Sequence, residues 1–295
     1  MTLVATLISN PKARSLSPSM ANRITQALGA SRFEWLDAEV ACDIALPEDL
    51  DPQTAESIAR AALQDLPVDV AIQPAEGRRK KMLIADMDST MIDQECIDEL
   101  ADEIGIKEDV AAITSRAMNG EIAFEPALRE RVALLEGLEM AVIERVIEGR
   151  ITLAAGGREL LATMNAAGAY TALVSGGFDI FTGRVASMLG FREHRANRLI
   201  EQDGRLAGLV AEPILGRQAK ADALIELAAR LKLRLSETMA VGDGANDLDM
   251  LRLAGAGVAL HAKPSVAAEA DIRIDHGDLT ALLYMQGYRR KEFAQ

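Results

Sequence analysis

Cysteine is nearly absent from this chain. Only Cys42 and Cys96 occur among 295 residues, in separate predicted elements, which supports neither a disulfide framework nor a zinc cluster. The three histidines, His194, His261 and His276, show no metal-ligand spacing. Positive charge is also in deficit: 32 Lys and Arg stand against 45 Asp and Glu, a formal net charge of −13. That balance gives no footprint for nucleic acid or anionic lipid. An anionic substrate would need local cations or a metal to reverse the field.

No apolar run reaches the roughly 18–20 residues of a membrane helix. The opening Met1-Thr2-Leu3-Val4-Ala5-Thr6-Leu7-Ile8 lacks a basic n-region, so neither a membrane span nor a signal peptide is expected, and the cytosol is the expected compartment. Repeats and low-complexity tracts are missing too, which argues against a solenoid. What remains is 49% hydrophobic and 26% charged, the profile of a globular chain long enough for an α/β core plus one smaller domain.

Along the chain, residues 2–9 read as a strand, 17–28 as an amphipathic helix, 33–38 and 41–46 as strands, 52–63 as a helix capped by Asp51, and 68–72 as a half-buried strand. This β-α-β-β-α-β order predicts a split β-α-β sandwich. Residues 74–81, with proline, glycine and the basic run Arg78-Arg79-Lys80-Lys81, read as a solvated linker.

From Met82 onward, short apolar runs alternate with helices. The runs at 82–85, 170–174 and 238–241, with further candidates at 258–260 and 271–274, predict a doubly wound parallel sheet whose ligands sit at the strands' carboxyl ends. A helical stretch from 92 through 116, then 124–135 and 140–148, is too long for a simple crossover and reads as a helical cap. Two strand-like runs around Asp203-Gly204 read as a small β flap.

Each of the first three runs ends on a polar or glycine-rich group. Asp86-Met87-Asp88-Ser89-Thr90 projects two carboxylates from a strand end. Ser175-Gly176-Gly177 offers a hydroxyl and close backbone approach to an anion. Gly242-Asp243-Gly244-Ala245-Asn246-Asp247 adds two carboxylates and an amide, hard oxygen donors that suit Mg²⁺. Each alone is compatible with an ordinary turn; three in one sheet argue for a shared site. Lys220 lies on a predicted helix between the second and third groups.

These groups, in order and spacing, resemble the haloacid dehalogenase-like superfamily over roughly residues 82–290. Within it the chain is similar to the phosphoserine phosphatase family through Asp86-Met87-Asp88-Ser89-Thr90-Met91-Ile92, Glu95, Arg129-Glu130-Arg131-Val132, Val174-Ser175-Gly176-Gly177-Phe178-Asp179 and the Gly242–Asp247 motif. The resemblance implies hydrolysis of phosphoserine, closing serine biosynthesis, with Asp86 as nucleophile and Asp88 as acid and base. It implies Mg²⁺ held by Asp86, the Asp88 carbonyl and Asp243, with Asp247 in support. Ser175, Gly176, Lys220 and Asn246 would bind the substrate, Glu95 and Arg131 would match its ammonium and carboxylate, and Met118 and Phe124 would shield it.

By the same resemblance, residues 1–78 are expected to form an ACT-like domain and 79–295 the phosphatase domain, with its cap at about 94–158. A homodimer and L-serine binding to the N-terminal domain are possibilities it opens. Rival readings are a phosphotransferase, a phosphatase for another small ester, and a non-catalytic amino-acid sensor. Intact Asp86, Asp88, Lys220 and Asp243 speak against the last.

Overall fold

The structure, a computed structural model, describes residues 2–294 other than Asp65, Asn119 and Gly120. The chain opens with β1 (Leu3–Ser9), α1 (Pro18–Ala27), β2 (Phe33–Asp37), β3 (Ala41–Ala45), α2 (Pro52–Leu63) and β4 (Val68–Pro74). Both helices start where capping chemistry places them. Ser17 accepts from the Met20 N–H and Asp51 from those of Gln53 and Thr54, and each cap is followed by a proline, whose fixed φ suits the first helical position. The strands form an antiparallel sheet in the order β2-β3-β1-β4. Ala21, Ile24 and Leu28 of the first helical segment meet Ala55, Ala59 and Leu63 of the second in the core beside this sheet. The predicted split β-α-β topology is present.

The linker is exposed at Glu76, Gly77, Arg79 and Lys81, as expected of a solvated segment, but its basic side chains also hold partners. Arg78 pairs with the buried Asp43, Arg79 lies over the Tyr288 ring and pairs with Glu292, and the Lys80 ammonium donates to the Ser236 carbonyl. Its basic side chains are spent on intramolecular partners.

The second sheet begins at β5 (Met82–Ala85). Four helices follow, α3 (Cys96–Glu103), α4 (Lys107–Met118), α5 (Phe124–Ala133) and α6 (Met140–Gly149), before α7 (Gly157–Ala166), β6 (Tyr170–Phe178), α8 (Asp179–Leu189) and β7 (Glu193–Asn197). Next come β8 (Leu199–Gln202), β9 (Arg205–Val210), α9 (Arg217–Arg230), β10 (Thr238–Gly242), α10 (Leu248–Leu253), β11 (Gly257–Leu260), α11 (Pro264–Ala267), β12 (Ile272–Ile274) and α12 (Ala281–Met285). The six-stranded sheet runs β12-β11-β10-β5-β6-β7 and is parallel throughout. Its central strands read Met-Leu-Ile-Ala and Thr-Met-Ala-Val-Gly, buried at every position, as a sheet covered on both faces requires.

Two details differ from expectation. The first inserted helix begins at Cys96 rather than at 92, because the N–H groups of Met91 and Ile92 both turn back to the Met87 carbonyl and Asp88 caps the Cys96 N–H at 3.1 Å. The edge strand β7, Glu-His-Arg-Ala-Asn, is too polar to be read as a strand from sequence. The β8-β9 hairpin is as expected, with Asp203 and Gly204 both at positive φ. It docks on the helical insertion: the Leu206 N–H donates to the Leu138 carbonyl and the Gly137 N–H to the Leu206 carbonyl, both at 2.8 Å. No helix among the described residues is long and apolar enough to cross a membrane.

Candidate active site

Because β10, β5 and β6 are neighbours, their carboxyl ends bring the three sequence groups together. Asp86 follows β5 and is 5% exposed; its own Met87 N–H donates to Oδ1 at 2.8 Å. Lys220, one turn into α9 and fully buried, places Nζ 2.7 Å from Asp86 Oδ2 and 2.7 Å from Asp247 Oδ1. Burial alone would lower the lysine's pKa, but Asp247 and Asp86 outweigh it and hold the ammonium above its ordinary value. Asp247 takes its second bond from the Gly244 N–H at 3.0 Å. That return demands glycine at 242, where a Cβ would lie 2.4 Å from Asp247 Cγ. Asn246 lies across the same loop, its Oδ1 2.3 Å from where a Cβ on Gly244 would stand.

Asp86, Asp243 and Asp247 each present a carboxylate oxygen within 4.8 Å of the others. Burial, then Asp86, pushes the Asp243 pKa upward, and burial, then Asp86, pushes Asp247 upward against the pull of Lys220. Lys220, with Lys263 acting on Asp243, still leaves three clustered carboxylates under-compensated, so the donor set fits a hard divalent cation that takes oxygen ligands. Both Asp247 oxygens are already engaged by Lys220 and Gly244, which suits a supporting role. Thr90 donates to Asp243 Oδ1 at 3.1 Å; its place in the first motif gave no hint of that task.

Asp88 leans the other way, over the serine–glycine loop: a Cβ on Gly177 would sit 2.7 Å from Asp88 Oδ2. Burial first, then Glu95 and Asp86, raise its pKa and so favour its protonated form. Ser175 is buried and its Oγ accepts from the Gly177 N–H at 2.9 Å.

At the mouth, Glu95 is the N-cap residue of α3 and not within the helix as expected. It keeps exposed surface, yet protein crowds its carboxylate enough that burial, followed by Asp243, Asp86 and Asp98, raises its pKa while Ser89 opposes. Ser89, in the left-handed region at φ 54°, donates to Glu95 Oε1 at 2.8 Å. Arg131 on α5 donates through Nε to the Ala127 carbonyl at 3.3 Å and through Nη1 to Thr114 at 3.4 Å. Burial lowers its pKa, opposed by the charges of Asp98, Glu95 and Asp88. The Phe124 ring packs beside both Gly176 and Gly216, where added Cβ atoms would meet it at 3.2 and 3.3 Å. The Met118 side chain lies outside the described residues.

Two carboxylates after one strand, a third and fourth after its neighbour and a buried ammonium between them, gathered at the carboxyl ends of a doubly wound sheet, mark a hydrolase that handles phosphate. The family model described as haloacid dehalogenase-like hydrolase matches residues 83–252, and the chain belongs to this family. A phosphoserine phosphatase of Streptomyces coelicolor is 36% identical over 98% of this chain and 71% of its own length. One from Methanocaldococcus jannaschii is 42% identical over 70% of this chain and 97% of its own length. The crystal structure of a family hydrolase from Salmonella enterica serovar Typhi superposes with a TM-score of 0.86 at 30% identity, covering 96% of this chain and 98% of that one.

Proposed function

We infer that this chain is a metal-dependent phosphomonoesterase that hydrolyses phosphoserine to serine and phosphate. The observation that carries the reaction is the buried ammonium of Lys220, 2.7 Å from both Asp86 and Asp247, which follow the adjacent strands β5 and β10. The substrate rests on Glu95 and Arg131 at the mouth, together with the activity named for relatives 36% and 42% identical.

In this reading, an Asp86 carboxylate oxygen attacks phosphorus as the bond to the serine oxygen breaks, and Asp88 gives its proton to that oxygen. The ionised Asp88 then takes a proton from water, which attacks the aspartyl-phosphate; phosphate leaves and Asp86 is regenerated. Lys220, the Ser175 hydroxyl and the Gly176 N–H stabilise the equatorial oxygens. Asp86, the Asp88 carbonyl and Asp243 would hold Mg²⁺, with Asp247 in support. Bound there, the ion neutralises phosphate charge and lets one anion approach another. Glu95 takes the substrate ammonium, Arg131 clamps its carboxylate, and Phe124 screens the reacting centre. Asn246 belongs to the same substrate-binding set.

Inorganic phosphate release from phosphoserine, phosphothreonine, phosphoglycolate and an aryl phosphate tests this. Preference for phosphoserine, abolished by EDTA and restored by Mg²⁺, is expected. Activity confined to other esters would discard the Glu95–Arg131 clamp, and none at all would favour an amino-acid sensor. Arg131→Ala should raise KM for phosphoserine about tenfold, the loss of one charge-assisted contact, and leave KM for the aryl ester unchanged.

Residues 1–78 are proposed as an ACT-like domain and 79–295 as the phosphatase domain, with the helical cap at about 94–158. L-serine binding at the former, in a homodimer located in the cytosol, completes the proposal. Calorimetry of the full chain with L-serine, beside a variant altered only in residues 1–78, distinguishes such a site from product binding at the active site.

A further inference from the structure

The parallel ladder between β6 and β7 breaks where the phosphate loop begins. Val174 pairs with Arg195 and Phe178 with Asn197, so three residues, Ser175, Gly176 and Gly177, stand opposite one, Ala196. The loop therefore arches out of the sheet, and its backbone groups lose their ladder partners. Asn197, 2% exposed at the end of β7, supplies what the ladder does not. Its Nδ2 donates to the Gly176 carbonyl at 2.8 Å and the Leu215 carbonyl at 3.1 Å, and its Oδ1 accepts from the Leu215 N–H at 2.6 Å.

The peptide joining Gly176 to Gly177 is thus held at both ends, its carbonyl by Asn197 and its N–H by Ser175 Oγ at 2.9 Å. A serine hydroxyl has one proton and two acceptor sites. With Gly177 occupying an acceptor site, the Ser175 proton is left to donate elsewhere. Asp88 Oδ2 and Ser175 Oγ both border Gly177, at 2.7 and 3.2 Å from the position of an added Cβ, so that hydroxyl lies beside the acid of the site. The contacts to Leu215 fix the segment that enters α9, where Lys220 sits.

We propose that Asn197 is a positioning residue for phosphoryl transfer: by clamping the Gly176 carbonyl against Leu215, it keeps the Ser175 hydroxyl a donor. The proposal rests on the phosphatase reading above. It assigns a task to a residue that no sequence motif marked and that does not itself touch substrate.

The test compares wild type, Asn197→Ala, Ser175→Ala and the double variant by kcat and KM on phosphoserine with Mg²⁺, alongside thermal unfolding. Loss of one preorganised donor typically costs on the order of 100-fold in kcat, so Ser175→Ala should fall by about that factor. Asn197→Ala should fall by about 30-fold, with KM within about threefold, because the hydroxyl remains but is misdirected. The double variant should be no worse than Ser175→Ala by more than about threefold, since both act through one group. If Asn197→Ala does not fold, Asn197→Ser, too short to reach Gly176 but still polar, carries the same comparison. Near-wild-type kcat in the Asn197 variant, or multiplied losses in the double variant, would overturn the positioning role while leaving the phosphatase intact. Full turnover in Ser175→Ala would overturn the phosphate-loop reading itself, and this proposal with it.

Discussion

Both sheets bury carboxylates, but they treat them differently. In the N-terminal sheet, Asp69 accepts from the backbone N–H groups of Asp275, His276 and Gly277, and Asp43 accepts from Thr6 and pairs with Arg78. Each charge there is answered by donors, and those of Asp69 tie this sheet to the segment after β12. At the ends of β5 and β10, Asp86, Asp243 and Asp247 face one another around the buried ammonium of Lys220, with the charge of Lys263 also acting on Asp243. Burying charge without balance is costly, and this cluster carries that cost. A satisfied buried carboxylate is architecture; a crowded and under-compensated cluster is a site.

The strongest way to break this contrast is Asp86→Asn. Turnover of phosphoserine should fall by at least about 10⁴-fold, as for other nucleophile deletions, while the unfolding midpoint stays equal or rises because a like charge has left the cluster. Asp69→Ala should do the opposite. It strands three backbone donors and should cost about 3 kcal/mol in denaturant-derived stability, with kcat of the folded fraction unchanged.

A third variant sharpens the comparison with a carboxylate outside both groups. Burial alone would raise the Glu193 pKa, but hydrogen bonds from Arg230, Tyr170 and Arg195 bring it down from 4.5 to about 2. A depressed folded-state pKa gives stability that is present above pH 4.5 and lost as pH falls through about 2. Glu193→Gln should therefore cost on the order of 2 kcal/mol at neutral pH, after allowance for partial exposure. The difference from wild type should close between those two pH values in chemical denaturation, without a change in KM. A gap that widens in acid would contradict the assignment.

The same contrast explains what the sequence made legible. Asp86, Ser175 and Asp243 stand in local patterns at strand ends, Lys220 on its helix is marked only by the family resemblance, and the parallel sheet that gathers them follows from buried apolar runs. Ser17, Asp51 and Asp203-Gly204 likewise declare their caps and turn within a few residues. The missed features depend on distant partners. β7 reads as polar because Glu193 and Arg195 find their charges on α9, at Arg230 and Glu226, and Asn197 gains its role only from a break in the β6-β7 ladder. The linker's arginines read as solvated because Asp43 and Glu292 are 35 and 213 positions away. Glu95 falls outside its helix because Asp88, seven residues earlier, accepts from the Cys96 N–H.

The central claim is a covalent phosphoryl-enzyme at Asp86, and chemical trapping tests it most directly. Enzyme mixed with radiolabelled phosphoserine and Mg²⁺, quenched in acid within one turnover, should carry label in the peptide containing Asp86. Borohydride reduction of that acyl phosphate should change the mass at position 86 alone. Label on another residue, or rapid phosphate release from enzyme that never carries label, would contradict the account.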